Sequence, residues 1–329
     1  MNLTQLGETL KKEPSYRLKQ VKKAVFQDLI DDWSQVTNLP LYLREILNKT
    51  CSLLINGEFF VSKDEKTVKA LITLNDDLKI ESVLMRHKER NTVCVSSQVG
   101  CPLGCVFCAT GKMGFKRNLE DFEIVEQVLF FARYLKESKA RVTNVVFMGM
   151  GEPFLNYENV ISAIKILNDK EGLNLGARKF SISTVGIIEG IKKLTEEKLE
   201  INLAISLHAP DDELRSKLMP IGKKYKIEKI LEAVDDYIKK TNRKVMFEYL
   251  MIKDVNDSED SAKKLIKLMR RRLYLVNLIS YNPTADFQPS PNERIKKFKS
   301  VLEKAGVYVT ERYRFGREIK AACGQLAGK

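Results

Sequence analysis

Six cysteines, Cys51, Cys94, Cys101, Cys105, Cys108 and Cys323, and two histidines, His87 and His208, carry the soft-ligand chemistry of this 329-residue chain. Three of the cysteines share one loop, Cys101-Pro-Leu-Gly-Cys105-Val-Phe-Cys108. Gly100 and Gly104 stand where the backbone must curve to aim three sulfurs at one point. Soft thiolates at this C-x3-C-x2-C spacing select zinc or an iron–sulfur cluster. Zinc wants a fourth ligand at matching spacing, and none is local, since His87 lies 14 residues upstream of Cys101. A [4Fe–4S] cluster on three cysteines leaves one iron without a protein ligand, open to a substrate or cofactor. That is the chemistry the loop predicts. The two histidines are too far apart for an HExxH zinc site. Of the other thiols, Cys94 alone reads as a buried strand cysteine. Cys323, in Ala-Ala-Cys-Gly-Gln, lies in a glycine-containing tail where a small apolar filler has little to fill. Cys51 is assigned to an accessory core.

The elements that must position these groups are legible from periodicity. Residues 1 to about 48 read as helical, with Val21, Ala24, Val25, Leu29 and Ile30 at helical spacing. Val68, Ala70, Ile72 and Leu74 recur at period two, and Ile80, Val83 and Leu84 follow the turn signal Asn75-Asp76-Asp77, predicting a pair of short strands. From residue 92 onward, strand candidates at 92–97, 144–148, 179–184, 200–206, 245–251 and 276–281 alternate with helix candidates near 120–135, 157–168, 188–197, 226–240, 258–272 and 292–305. Six β-then-α units predict a parallel α/β architecture, either a doubly wound sheet or a partial barrel. In both, ligands collect at the C-terminal ends of the strands. The polar and glycine-rich segments fall there: the cysteine loop after the first strand, Gly149-Met-Gly-Glu-Pro153 after the second, Thr184-Val-Gly186 after the third, Ser206-Leu-His208 after the fourth and Tyr281-Asn-Pro283 after the sixth. One shared site is expected on that rim.

Composition sets the partners. There are 56 Lys and Arg against 43 Asp and Glu, a net charge of +13, with basic clusters around residues 17–23, 87–90, 112–117, 270–272, 296–299 and 312–317. A spread surplus of this size points to a polyanion, most simply nucleic acid. No apolar run approaches a membrane span. The N-terminal stretch Met1-Asn-Leu-Thr-Gln-Leu-Gly-Glu8 has neither a basic start nor an apolar core, so no secretory signal is expected and the chain is read as cytoplasmic. In a reducing compartment six thiols serve metal binding or catalysis rather than a disulfide framework.

The cysteine loop at the end of the first strand of a β/α series resembles the radical S-adenosylmethionine superfamily, whose core is a partial (β/α)6 barrel. The Gly151-Glu152 segment resembles that superfamily's glycine-rich loop for the methionine amino group, where a carboxylate beside an ammonium makes a charge-assisted contact. Cys94-Val-Ser-Ser-Gln-Val-Gly-Cys101, Gly149-Met-Gly-Glu-Pro153, Phe180-Ser-Ile-Ser-Thr-Val-Gly186, Ser206-Leu-His208, Leu218-Met-Pro-Ile221, Tyr281-Asn-Pro283 and Ala321-Ala-Cys323-Gly-Gln-Leu-Ala-Gly328 together resemble the RlmN/Cfr family of RNA adenine methyltransferases. The match runs from about Tyr16 to the last residues.

The resemblance implies a fold, cofactors and roles. The fold is α/β, a partial (β/α)6 barrel over residues 85–315, with an N-terminal accessory RNA-binding domain at 1–84 and a tail at 316–329. Cys101, Cys105 and Cys108 would hold a [4Fe–4S] cluster, and Gly151, Glu152, Ser183, Ser206, Leu207, His208 and Asn282 would hold S-adenosylmethionine, two molecules per turnover. Cys323 would carry a methyl group, Cys94 would resolve an RNA–protein thioether by forming a transient disulfide with Cys323, and Glu81 would accept a proton. Implied partners are 23S rRNA, a tRNA adenosine beside the anticodon, and an electron donor such as flavodoxin or ferredoxin, acting on a monomer. Pro153 and the Gly-Cys-Pro-Leu-Gly-Cys loop resemble the branch that makes 2-methyladenosine. Formation of 8-methyladenosine is the alternative within the family, and a non-catalytic Fe–S or zinc RNA-binding protein is the alternative outside it.

Overall fold

A computed structural model describes residues 3–284, 287–312 and 316–328; Arg314 of the last basic cluster lies outside them. The chain begins with three helices, α1 (Leu3–Leu10), α2 (Ser15–Phe26) and α3 (Leu41–Thr50). Val21, Ala24 and Val25 of α2 and Leu43 and Leu47 of α3 turn inward at helical spacing. Between them Trp33 is fully buried, and its indole N–H donates to the Cys51 carbonyl at 2.7 Å. Cys51 is buried in this core.

Three antiparallel strands follow, β1 (Gly57–Val61), β2 (Thr67–Thr73) and β3 (Lys79–His87), and β3 turns directly into β4 (Arg90–Val95). The next elements are β5 (Gln98–Gly100), α4 (Ala109–Lys112), β6 (Phe115–Asn118), α5 (Asp121–Lys136), β7 (Asn144–Phe147), α6 (Tyr157–Asn168), β8 (Phe180–Thr184), α7 (Ile188–Glu196), β9 (Asn202–Ser206) and α8 (Asp212–Leu218). The chain continues through α9 (Ile227–Thr241), β10 (Val245–Met251), α10 (Glu259–Met269), β11 (Tyr274–Ser280), α11 (Asn292–Lys304) and β12 (Val309–Glu311).

Ten strands form one sheet in the order β1-β2-β3-β4-β7-β8-β9-β10-β11-β12. From β4 to β12 every neighbouring pair is parallel, and spatial order follows chain order. That winding is the six-unit β/α series the sequence predicts, with β12 added. β1 and β12 are the two edges of the sheet, so the barrel is partial. The parallel strands are covered on both faces, which is why Val145, Phe147, Phe180, Ile182, Leu203, Ile205, Val276 and Leu278 are buried.

Several differences have physical causes. The accessory segment has three strands rather than two, because β1 is an edge strand whose Phe59, Phe60 and Val61 are exposed and leave no alternation to read. The boundary expected at residue 84 falls inside β3, and the accessory strands extend the barrel's own sheet. Helix α10 stops at Met269, three residues early, where Arg270 leaves helical dihedrals and Leu273 takes a positive φ of 64°. The β5–β6 hairpin, absent from the periodicity reading, brackets the cysteine loop.

Candidate active site

One cavity lies at the C-terminal ends of the parallel strands, and β10, for which the sequence predicts no site segment, contributes to it. Ser183 and Val185 extend from β8, Ser206 and His208 from β9, Glu248 and Leu250 belong to β10, and Ile279 and Tyr281 extend from β11; all eight line one cavity. Each pair is spaced by two, so one face of each strand looks inward. Gly149, Gly151 and Glu152 after β7 line the same cavity, as do Cys101, Cys105 and Cys108.

The cysteine loop is held by backbone contacts. The Cys101 N–H donates to the Gly114 carbonyl at 2.9 Å, and the Cys108 N–H to the Cys105 carbonyl at 3.1 Å. Gly100 has φ 74°, and a Cβ there would meet the Gly114 oxygen at 1.9 Å, so only glycine fits. Burial pushes the Cys101 thiol up to about 12, and Cys105 is raised by burial and by the other two cysteines. Thiolates in such surroundings need positive charge, which a metal centre supplies. Zinc would want a fourth ligand to close its tetrahedron. The donor set, three thiols on a cavity wall and no local fourth ligand, fits a cluster with one open iron.

Glu152 is nearly fully buried. Its carboxylate accepts from the Val185 N–H at 2.9 Å and the Phe154 N–H at 3.1 Å, and its own N–H donates to Gln98 Oε1 at 2.8 Å. Burial raises its carboxyl to about 7, against which those hydrogen bonds work. His208 has φ 57°, and its Nδ1 accepts from the Leu250 N–H at 3.1 Å, with the Phe107 ring edge-on at 5.1 Å. Burial lowers it to about 3, so the imidazole is neutral at physiological pH.

Of the two remaining thiols, Cys323 lines the same cavity and Cys94 lies behind its wall. Cys94 is buried on β4, and Cys323 is exposed into the cavity, whose walls enclose it. Burial pushes them up to about 12 and about 11. The Arg312 guanidinium lowers both, and Cys323 raises Cys94, so the two sulfurs lie within reach of each other's charge. Arg312 is anchored on the Glu248 carboxylate at 3.3 Å, and Ser183 Oγ donates to the same carboxylate at 2.8 Å. Sequence reasoning missed Glu248 and Arg312. The available signal was a lone acid inside the otherwise apolar strand Val245–Met251.

The tail lies against the cavity of the cysteine loop. The Ala109 N–H donates to the Gly324 carbonyl at 2.7 Å, Thr110 Oγ1 to the Leu326 carbonyl at 2.7 Å, and Asn282 Nδ2 to the Cys323 carbonyl at 3.2 Å. The N–H groups of Ala327 and Gly328 donate to Glu81 Oε2 at 2.6 and 3.2 Å, while Lys69 pairs with Glu81 Oε1 at 2.7 Å. Glu81, Leu207 and Asn282 are therefore not among the described residues lining the cavity. Glu81 and Asn282 fasten the tail, and Leu207 is wholly buried with its N–H on the Glu248 carbonyl. Many expected basic positions are internally paired: Lys22 with Asp169, Lys23 with Asp28, Arg117 with Asp76 and Glu123, and Arg271 with Asp235.

With this geometry in view, the comparisons are direct. The family model of the radical SAM superfamily matches residues 95–266. A probable dual-specificity RNA methyltransferase RlmN of Dictyoglomus thermophilum is 48% identical over 316 residues, covering 95% of this chain and 91% of that protein. A ribosomal RNA large subunit methyltransferase N of Nitrosopumilus maritimus is 44% identical, covering 94% of this chain and 92% of its own. The crystal structure of a radical SAM methyltransferase from Sphaerobacter thermophilus superposes with a TM-score of 0.96 at 42% identity, covering 100% of this chain and 98% of that one. No helix among the described residues is long and apolar enough to cross a membrane.

Proposed function

The chain belongs to the radical S-adenosylmethionine superfamily and, within it, to the RlmN family of RNA methyltransferases, and we propose that it converts an adenosine of 23S rRNA in the peptidyl-transferase centre, and a tRNA adenosine beside the anticodon, to 2-methyladenosine. It is an enzyme that uses a [4Fe–4S] cluster and S-adenosylmethionine. The observation carrying the proposal is that Cys323 of the tail lies in the cavity of the three-cysteine loop, with Cys94 of β4 within reach of its charge.

The chemistry explains why two extra thiols are needed. An aromatic C–H carbon of adenine is a poor nucleophile and does not simply displace the methyl of a sulfonium. In this reading Cys323, as thiolate, takes that methyl by displacement and releases its proton. When bound, the cluster and a second S-adenosylmethionine supply a carbon-centred radical that removes one hydrogen from the S-methyl group. The S-methylene radical would then add to the adenine ring, the unpaired electron of the adduct would return to the oxidised cluster, and Glu81 would take the ring proton. The Cys94 thiolate would attack the Cys323 sulfur, the carbon would leave as the product methyl after taking a proton from water, and the sulfurs would form a disulfide that an external two-electron reductant reopens.

Cys101, Cys105 and Cys108 hold the cluster, and Gly151, Glu152, Ser183, Ser206 and His208 hold S-adenosylmethionine. Leu207 supports that wall, and Asn282 acts from its edge through the Cys323 carbonyl. The Glu81 carboxylate becomes available when the tail rises from it. The enzyme works as a cytoplasmic monomer, and an external one-electron donor reduces the cluster. Transcribed 23S rRNA and tRNA fragments incubated with the reduced enzyme, then digested for nucleoside mass spectrometry, test the proposal. The expected product is 2-methyladenosine, whereas 8-methyladenosine alone, or no methylated nucleoside, refutes it.

Glu152 gives a pH signature. Its carboxyl titrates near 7, above the ordinary carboxylate range, so it is largely neutral below that pH and loses its attraction for the ammonium of S-adenosylmethionine. Affinity for S-adenosylmethionine therefore rises between about pH 6 and about pH 8. Glu152→Gln binds about ten- to a hundredfold more weakly, from the worth of a charged hydrogen bond, with that pH step abolished. Titration calorimetry of the reconstituted enzyme across this range checks both statements.

A further inference from the structure

An electron must reach the cysteine loop from outside, and the loop itself meets solvent on one side. Leu103 lines the cavity and is only half-buried, and its neighbours Pro102 and Gly104 are exposed. Beside it the five residues Lys112, Met113, Gly114, Phe115 and Lys116 are all exposed, Met113 by 37% and Phe115 by 44%. This segment is fixed to the cysteine loop at two points. The Gly114 carbonyl accepts from the Cys101 N–H at 2.9 Å, and Gly111 lies so close to the backbone of Gly104 and Cys105 that an added Cβ would meet Cys105 N at 3.0 Å. Neither Lys112 nor Lys116 pairs with a carboxylate among the described residues; Lys112 Nζ reaches the Thr284 carbonyl at 3.4 Å. The adjacent Arg117, by contrast, is taken by Asp76 and Glu123.

We propose that the exposed rim formed by residues 102–104 and 112–116 is the docking surface for an acidic one-electron carrier protein. The proposal rests on the assignment of the cluster to Cys101, Cys105 and Cys108. One electron passes from the reduced carrier to the cluster, and no bond, proton or leaving group is exchanged. An exposed methionine and phenylalanine flanked by two cations with no carboxylate partner among the described residues have the make-up of a protein interface, where Met and aromatic residues are enriched and charges sit at the rim. Electron-transfer encounters are also small, below about 1,200 Å² of buried surface, so a rim of this size suffices. RNA affinity rests instead on many phosphate contacts, and two lysines contribute little to such a sum.

The test uses holoenzyme of known iron and sulfide content and its Lys112→Glu/Lys116→Glu variant, with flavodoxin as the acidic carrier and dithionite as the small reductant. Stopped-flow reduction by flavodoxin slows about tenfold or more in the variant, and flavodoxin affinity falls in parallel. Both differences shrink as salt rises. Reduction by dithionite and affinity for the RNA fragment stay unchanged. A milder Lys112→Ala/Lys116→Ala variant shows the same direction with a smaller loss. Unchanged flavodoxin kinetics in both variants overturns the proposal, and so does lost RNA affinity with unaltered flavodoxin kinetics, which assigns the rim to RNA. A wild-type protein that binds iron–sulfur and accepts electrons from dithionite shows that such a failure belongs to the rim. One that binds no iron overturns the cluster assignment and this proposal together.

Discussion

Cys94→Ala leaves the enzyme covalently joined to its RNA. Cys94 sits on β4 within reach of the charge of Cys323, and the other thiol whose charge Cys323 feels, Cys108, belongs to the cluster loop. Once the carbon bridges Cys323 sulfur and adenine, release requires a nucleophile at that sulfur, and alanine has none. Multiple turnover falls on the order of a thousandfold or more, as when an essential nucleophile is removed. The first cycle still runs, so a denaturing gel shows a protein band shifted by the RNA and collapsed by nuclease. The substitution deletes one sulfur atom from the barrel wall, at a stability cost of about 1 kcal/mol, too little to prevent folding. Normal yields of free methylated RNA from this variant would refute the resolving role.

Cys323→Ala stops the reaction one step earlier. No methyl is accepted, no adduct forms, and the double variant Cys94→Ala/Cys323→Ala shows no shifted band, which separates a missing carrier from a missing resolver. Loss of activity is again on the order of a thousandfold or more. The thiol, pushed up to about 11 by the cavity walls, is mostly protonated at neutral pH, and Arg312 is the cation on hand to favour its thiolate. Cluster content is unaffected, since Cys323 lies outside the C-x3-C-x2-C loop, and iron and sulfide analysis of the variant checks this. Intact mass of wild-type protein after incubation with S-adenosylmethionine gains one methyl on the Cys323 peptide, and the variant gains none.

The parallel barrel was legible because its strands are buried on both faces and its helices carry one apolar stripe, so the period changes along the chain mark the units directly. The site was legible where chemistry is local in sequence: the cysteine loop, Gly151-Glu152 and Ser206-Leu207-His208 each declare themselves within a few residues. Partnerships made across the fold were not legible. Glu81 meets the tail 246 residues away, and Glu248 meets Arg312 across 64, with no spacing to announce either. For the same reason Asn282 and Glu81, expected to touch cofactor and substrate, are found fastening the tail that carries Cys323. The edge strand β1 escaped notice because its exposed phenylalanines mimic a loop with scattered apolar residues.

The central claim is that the product methyl passes through the Cys323 sulfur and loses one hydrogen there. Turnover with S-adenosylmethionine carrying a fully deuterated methyl group, followed by mass spectrometry of the nucleosides, tests it most directly. Because one deuterium is removed as an atom from the S-methyl group and the last hydrogen comes from water, 2-methyladenosine should carry two deuteriums. A 2-methyladenosine carrying all three would mean transfer of an intact methyl group and would contradict the account.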